Sequence, residues 1–135
     1  MYKSRLSNYF SGIAAKKLSA VEANPEVSNQ HELNGVTELK EIFGDKKLEK
    51  LPASFFYLDD KDENIRKSDG FLTWYDSREN HPTRSEFRLY YQGKEVSEMF
   101  KEGDLVIVGK RTNGKLVFIA AKSETTVANQ LVWLF

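Results

Sequence analysis

The sequence predicts a mainly β domain, an open mixed barrel or sandwich with short helices. Three observations predict it. Short runs rich in aromatic and β-branched residues recur along the chain, each bounded by polar or glycine-containing segments. Asn113-Gly114 between two such runs is a strong hairpin signal. No helical pattern is regular enough to cross over between parallel strands, which sets aside alternating βαβ units. The 135 residues, 40% of them hydrophobic, suffice for one core, whereas two domains would each be marginal.

Taken in order, Ser11 to Ala20 reads as a strand with Lys16 and Lys17 near its end. The stretch Glu22-Ala-Asn-Pro-Glu-Val-Ser-Asn-Gln-His31, broken by Pro25, reads as a long polar loop. After Gly35, the apolar residues Val36, Leu39, Ile42 and Phe43 recur at helical spacing, and Gly44 is the expected stop. Ser54 to Leu58 and Phe71 to Tyr75 have the aromatic composition of buried strands, and Arg84 to Tyr91 is a further strand. Lys94 to Phe100 fits a second short helix. Asp104 to Lys110 and Lys115 to Ala121 then form a hairpin, with both residues of Asn113-Gly114 expected at positive φ. The tail from Glu124 fits a short helix and a final apolar run to Phe135, the ending expected of a domain belonging to a longer protein.

Composition excludes several function classes. Without cysteine there is neither a disulfide framework nor a thiolate metal site, which suits a reducing cytoplasm. No apolar h-region opens the chain and no run is long enough for a bilayer, so a cytoplasmic protein with no membrane partner is expected. Twenty basic residues balance twenty acidic ones, which removes the argument from a globally basic surface. The charge is nevertheless segregated: residues 1 to 20 hold Lys3, Arg5, Lys16 and Lys17 and no acid, while Asp59, Asp60, Asp62 and Glu63 cluster. His31 and His81 are isolated, and no glycine-rich phosphate cradle is present, so neither a catalytic nor a metal site is expected. Asp45 with Asp59, Asp60 and Lys61 meets a loose Mg²⁺-nuclease pattern and stands as a rival reading.

The segment Asn80 to Tyr90 is the most informative. In a strand, Arg84, Glu86 and Arg88 share one face while Ser85, Phe87 and Leu89 turn to the other. One carboxylate between two guanidiniums matches cytosine N4 and guanine O6/N7 in the major groove, so the row is suited to reading G·C pairs. The competing reading is a solvated face whose charges pair with each other. Just upstream, Trp74-Tyr-Asp-Ser-Arg78 leads into a loop stiffened by Pro82, where short polar groups and Arg78 can hold phosphates. Lys16, Lys17 and the later loop residues Asn24, Asn29, Gln30 and His31 supply cations, amides and an imidazole suited to phosphates and purine edges. A different reading makes Tyr75, Tyr90 and Tyr91 a stacking or contact surface for single strands or proteins.

Lys16-Lys-Leu-Ser-Ala20, His31-Glu-Leu-Asn-Gly35, Tyr75-Asp-Ser-Arg78 and Thr83-Arg-Ser-Glu-Phe-Arg88, in this order and spacing, resemble the N-terminal effector domain of EcoRII-type restriction endonucleases, including the monomeric UbaLAI type. The resemblance spans roughly residues 10 to 91. It implies a B3-like DNA-binding pseudobarrel, an open mixed barrel of about seven strands, whose N-arm and C-arm grip the major groove of a CCWGG-like site. It places Lys16, Lys17 and Ser19 in the N-arm with His31 closing its loop. Arg84, Glu86 and Arg88 become the base-reading C-arm, introduced by Asp76, Ser77 and Arg78. With the loop groups added, base recognition is expected from Arg84, Glu86, Arg88, His31 and Gln30. Backbone contact and arm positioning fall to Lys16, Lys17, Ser19, Asn29, Asp76, Ser77, Arg78, Asn80 and His81. The chain departs from the pattern at His81-Pro82, where the family is glycine-rich, and at Phe87, which replaces a polar residue. The implied partners are double-stranded DNA and a C-terminal nuclease domain of the same parent, a type II site-specific deoxyribonuclease. Cleavage and Mg²⁺ belong to that separate domain, and no cofactor is expected in this one.

Overall fold

A computed structural model describes residues 10–19, 22, 31–59 and 66–122. Its elements in chain order are β1 (Phe10–Lys17), β2 (Glu32–Asn34), α1 (Thr37–Phe43), β3 (Leu48–Leu58), β4 (Arg66–Asp76), β5 (Phe87–Gln92), α2 (Lys94–Ser97), β6 (Leu105–Arg111) and β7 (Leu116–Ala121). The strands form one seven-stranded sheet in the order β1-β6-β7-β3-β4-β5-β2, curled into a half-barrel. Every neighbouring pair is antiparallel except β3 and β7, which run parallel from Ala53 opposite Leu116 to Leu58 opposite Ala121. That pair joins two antiparallel blocks, β1-β6-β7 and β3-β4-β5-β2.

Side-chain alternation decides which face is concave. Phe55, Leu72, Trp74, Leu89, Tyr91, Val106, Val108 and Phe118 all point inward and are buried. Their rings interlock: Phe55 and Phe118 stack at 5.1 Å, and Trp74 lies between Phe87 at 5.1 Å and Phe43 of α1 at 5.5 Å. The Trp74 indole N–H donates to the Gly44 carbonyl at 3.0 Å, so one side chain both fills the core and docks the end of α1. Strand β6 is buried on both faces, because Leu105 and Ile107 join Ala121, Ile13, Leu58 and Ile119 in a second cluster on the convex side. Burial on both sides explains the continuous apolar run in place of alternation.

The sheet's two edges meet at one residue. Glu22, 2% exposed, receives the Lys16 ammonium from β1 and the Asn34 backbone N–H, at 2.8 Å, from β2. It also exchanges bonds with Ser19: the Ser19 N–H donates to its carboxylate at 3.0 Å and its own N–H donates to the Ser19 hydroxyl at 3.2 Å. This is the reciprocal pairing of a capping box. The Tyr91 hydroxyl donates to the Glu22 carbonyl at 2.8 Å, tying the latch to the core. Burial alone would raise the Glu22 carboxyl, but Lys16 and the N–H groups of Ser19 and Asn34 outweigh it and hold it below the ordinary value.

The structure corrects several expectations. Glu22 itself is the buried clasp just described, and residues 23–30 of the expected polar loop lie outside the described residues. The first strand ends at Lys17, and Leu18 turns back to pair with Asp104 and Gly103 through backbone bonds of 2.9 and 2.8 Å. The fifth strand begins at Phe87 instead of Arg84, since the residues before it are fastened to a turn. The three-residue β2 is too short to show periodicity and was not predicted. The turn at Asn113-Gly114 is a three-residue hairpin loop: only Gly114 has positive φ, 87°, its N–H donates to Arg111 at 2.8 Å, and Arg111 pairs again with Lys115 at 2.8 Å. The second helix spans only Lys94 to Ser97, with Met99 and Phe100 continuing in single turns. The expected helix and apolar run beyond Glu124 lie outside the described residues.

Candidate nucleic-acid interface

The connection from β4 to β5 is held closed by its own backbone. Asp76 accepts the N–H groups of Arg78 at 2.9 Å and Glu86 at 2.8 Å through one oxygen, bringing the loop's two ends together. Ser77 sends both its N–H and its hydroxyl to the Glu86 carbonyl at 2.8 Å. At the tip, the His81 Nδ1 accepts from Thr83 at 3.2 Å and Arg84 at 3.1 Å, which requires the proton on Nε2. His81-Pro82 thus supplies, through an imidazole acceptor, the tight turn a glycine-rich loop would make through backbone freedom.

On this clasped loop the charges form a chain. The Arg78 Nε donates to Glu86 at 2.7 Å, and the Arg88 Nη2 donates to the other Glu86 oxygen at 3.2 Å. Hydrogen bonding from Arg78, then from Arg88, holds the Glu86 carboxyl below its ordinary value. Arg88 continues the chain inward, its Nη1 standing 3.6 Å from Glu32, whose second oxygen accepts the Tyr75 hydroxyl proton. Cross-strand register explains the meeting, since Tyr75 and Asn34 both face Arg88, from β4 and β2, on the convex side. Burial pushes the Glu32 carboxyl up, opposed by Arg88. A shallow groove of about 500 Å³ runs beside Tyr75, Arg78 and His81.

The expected trio is therefore rearranged. Glu86 and Arg88 do emerge on one side while Phe87 and Leu89 are buried, as alternation required. Arg84 and Ser85 precede the strand and are exposed, so Arg78 takes the place of Arg84 as the second guanidinium on Glu86. Mutual pairing of these charges, the competing reading, is realised in the free protein. Arg84 stands exposed at the loop, and among the described residues it makes no ion pair. Asn80 and His81 are exposed at the tip, whereas Asp76 and Ser77 turn into the loop and fasten it.

The early basic strand lies beside this site. Lys16 reaches Glu22, Glu22 holds Asn34, and Asn34 faces Arg88 across the β2–β5 pair. Lys17 is exposed, but Lys16 and Ser19 are committed to Glu22. His31 does not stand free for a base edge: its ring packs edge-on against Tyr91 at 5.1 Å, and among the described residues its buried Nδ1 has no hydrogen-bond partner. Burial lowers its imidazole below the ordinary value, opposed by Glu98. Asn29 and Gln30 lie outside the described residues. Glu32 and Glu22 escaped sequence reasoning; Ser19-Ala-Val-Glu22 carried a legible capping-box signal, but Glu32 had none beyond its place in His31-Glu-Leu-Asn-Gly35.

The rival constellations come apart. Tyr91 is 1% exposed and sits in the core, so the three tyrosines form no common surface. Asp45 and Asp59 flank the eleven residues of β3, a strand on the order of 30 Å long, too far to share an ion. Lys61 and Asp60 lie outside the described residues, and Asp59 stands 3.7 Å from Lys122. Among the described residues no three His, Asp or Glu side chains gather as metal ligands, and no helix is long and apolar enough to cross a membrane. No protein-family model matches the chain, and neither the curated proteins nor the solved structures yield a match.

Proposed function

We propose that this chain is a sequence-specific duplex DNA-binding domain that reads a short site containing G·C pairs with Glu86 and Arg88, assisted by Arg78 and Arg84. One observation carries the reading. An Arg–Glu–Arg chain with bonds of 2.7 and 3.2 Å stands half-exposed where a loop whose ends are bound together by Asp76 enters β5. Its donors and acceptor are those that guanine O6/N7 and cytosine N4 complement. Preorganisation matters because ordering a free arginine on binding costs about 0.5–1.5 kcal/mol. Lys17 and Arg84 are exposed cations available to phosphates. The resemblance to EcoRII-type effector domains, with their B3-like pseudobarrel and CCWGG-like sites, agrees with this reading. It extends the reading to a parent deoxyribonuclease whose separate nuclease domain uses Mg²⁺.

Selecting bound duplexes from a randomised pool tests the proposal. The parent protein is expected to recover a consensus with at least one G·C pair. Glu86→Ala and Arg88→Ala should each cost about 1–3 kcal/mol on that consensus and much less on scrambled duplex. A pool that yields no consensus, or variants that bind the consensus as the parent does, overturns the reading. Single-stranded competitor should not displace the duplex.

A further inference from the structure

Arg88 is bracketed by two carboxylates that differ in kind. Glu86 is 39% exposed and shared with Arg78, whereas Glu32 is 11% exposed and fixed from behind by the Tyr75 hydroxyl. Among the described residues the buried Arg88 Nε has no hydrogen-bond partner, so the guanidinium is oriented through its two terminal nitrogens. Glu32 faces Nη1 at 3.6 Å and Glu86 binds Nη2 at 3.2 Å. Each terminal nitrogen carries two N–H groups, so these carboxylates leave one on each for a further acceptor. Glu86 divides its two oxygens between Arg78 and Arg88 at the more exposed end, so the inner side of the fork is set by Glu32. Glu32 and Tyr75 belong to the sheet and share the convex face with Arg88 through strand register.

From this we infer that Glu32, oriented by Tyr75, is a positioning residue that aims Arg88 outward and compensates its charge without itself touching DNA. The inference rests on the duplex-binding reading above and adds to it a specificity determinant outside the contact surface. A positioning role has a distinct signature. Loss of Glu32 should blur the choice between sequences while leaving phosphate-driven affinity and its salt dependence as they were. A purely structural role would instead lower thermal stability and weaken both kinds of duplex alike.

The test compares Glu32→Ala, Glu32→Gln, Tyr75→Phe and Arg88→Ala in the full chain. The probes are the duplex recovered by the parent protein and a scrambled duplex of equal length, titrated at several salt concentrations. Glu32→Ala is expected to reduce the preference for the recovered duplex about tenfold, with scrambled affinity and salt slope unchanged. Tyr75→Phe should move it the same way by less, and Glu32→Gln should restore part of the loss. If Arg88→Ala loses the preference while Glu32→Ala and Tyr75→Phe keep or increase it, the positioning role is wrong and the binding reading survives. If the parent recovers no duplex, or Arg88→Ala keeps the preference, the reading itself fails and takes this inference with it. Should Glu32→Ala not fold, Tyr75→Phe decides alone, since it removes one hydroxyl and leaves the backbone pairing intact.

Discussion

Two neighbouring lysines show how little residue type says without its partner. Lys16 points at a buried carboxylate and Lys17 at solvent, because adjacent strand residues face opposite ways. Lys16→Ala would strand the Glu22 charge in a site where only 2% of that residue is exposed, at a cost of about 3 kcal/mol. Chemical denaturation should show that loss. Lys17→Ala should leave the denaturation midpoint in place and lower the salt slope of duplex binding by about 1. The reverse pattern, with Lys17 stabilising and Lys16 governing the salt slope, would contradict the assignment of Lys16 to the clasp. His31 illustrates the same point, since its ring is set against Tyr91 in the wall of the core.

At the scale of an element, the β4–β5 loop is a ten-residue connection shaped by side-chain acceptors. Asp76 and the His81 Nδ1 each take two backbone N–H groups, and between them they replace the ladder that the loop lacks. Asp76→Ala removes an acceptor common to both ends of the loop. Amide exchange at Arg78 and Glu86 should accelerate and trypsin should cut faster after Arg78 or Arg84, while exchange in β3 and β6 stays slow. Unchanged exchange at Arg78 and Glu86 would show that the loop is held by something else. The Arg111–Lys115 turn depends instead on backbone conformation, since Gly114 adopts φ 87°.

For the whole molecule, closure of the curled sheet is an electrostatic matter, and acid should open it. Glu22 is held below its ordinary value of 4.5, so its contribution is present above that value and is lost as pH falls through the depressed one. His31 is lowered from 6.5, so the unfolded chain takes up its proton first and stability begins to fall below about that pH. Glu32 acts in the opposite sense: its raised carboxyl favours the protonated fold, so acidification above 4.5 relieves part of its cost. Denaturation midpoints measured from neutral to acid pH should decline in two stages. His31→Gln should remove the first and Glu22→Gln the second. A parent midpoint that stays level down to the carboxylate range would refute the His31 stage.

The sequence by itself determined the β-rich class, the helix from Val36 to its stop at Gly44, the β6–β7 hairpin and the inward direction of Phe87 and Leu89, though not of the exposed Ser85. Those features follow from local periodicity and turn chemistry, which neighbouring residues carry. Only tertiary structure decided that Arg78, and not Arg84, shares Glu86, because the loop folds back through Asp76 and ends the strand early. It alone decided that Glu22 closes the sheet and that Glu32 stands behind Arg88. Those contacts join residues far apart in the chain, and a carboxylate's partner is fixed by register and curvature, which no local pattern records.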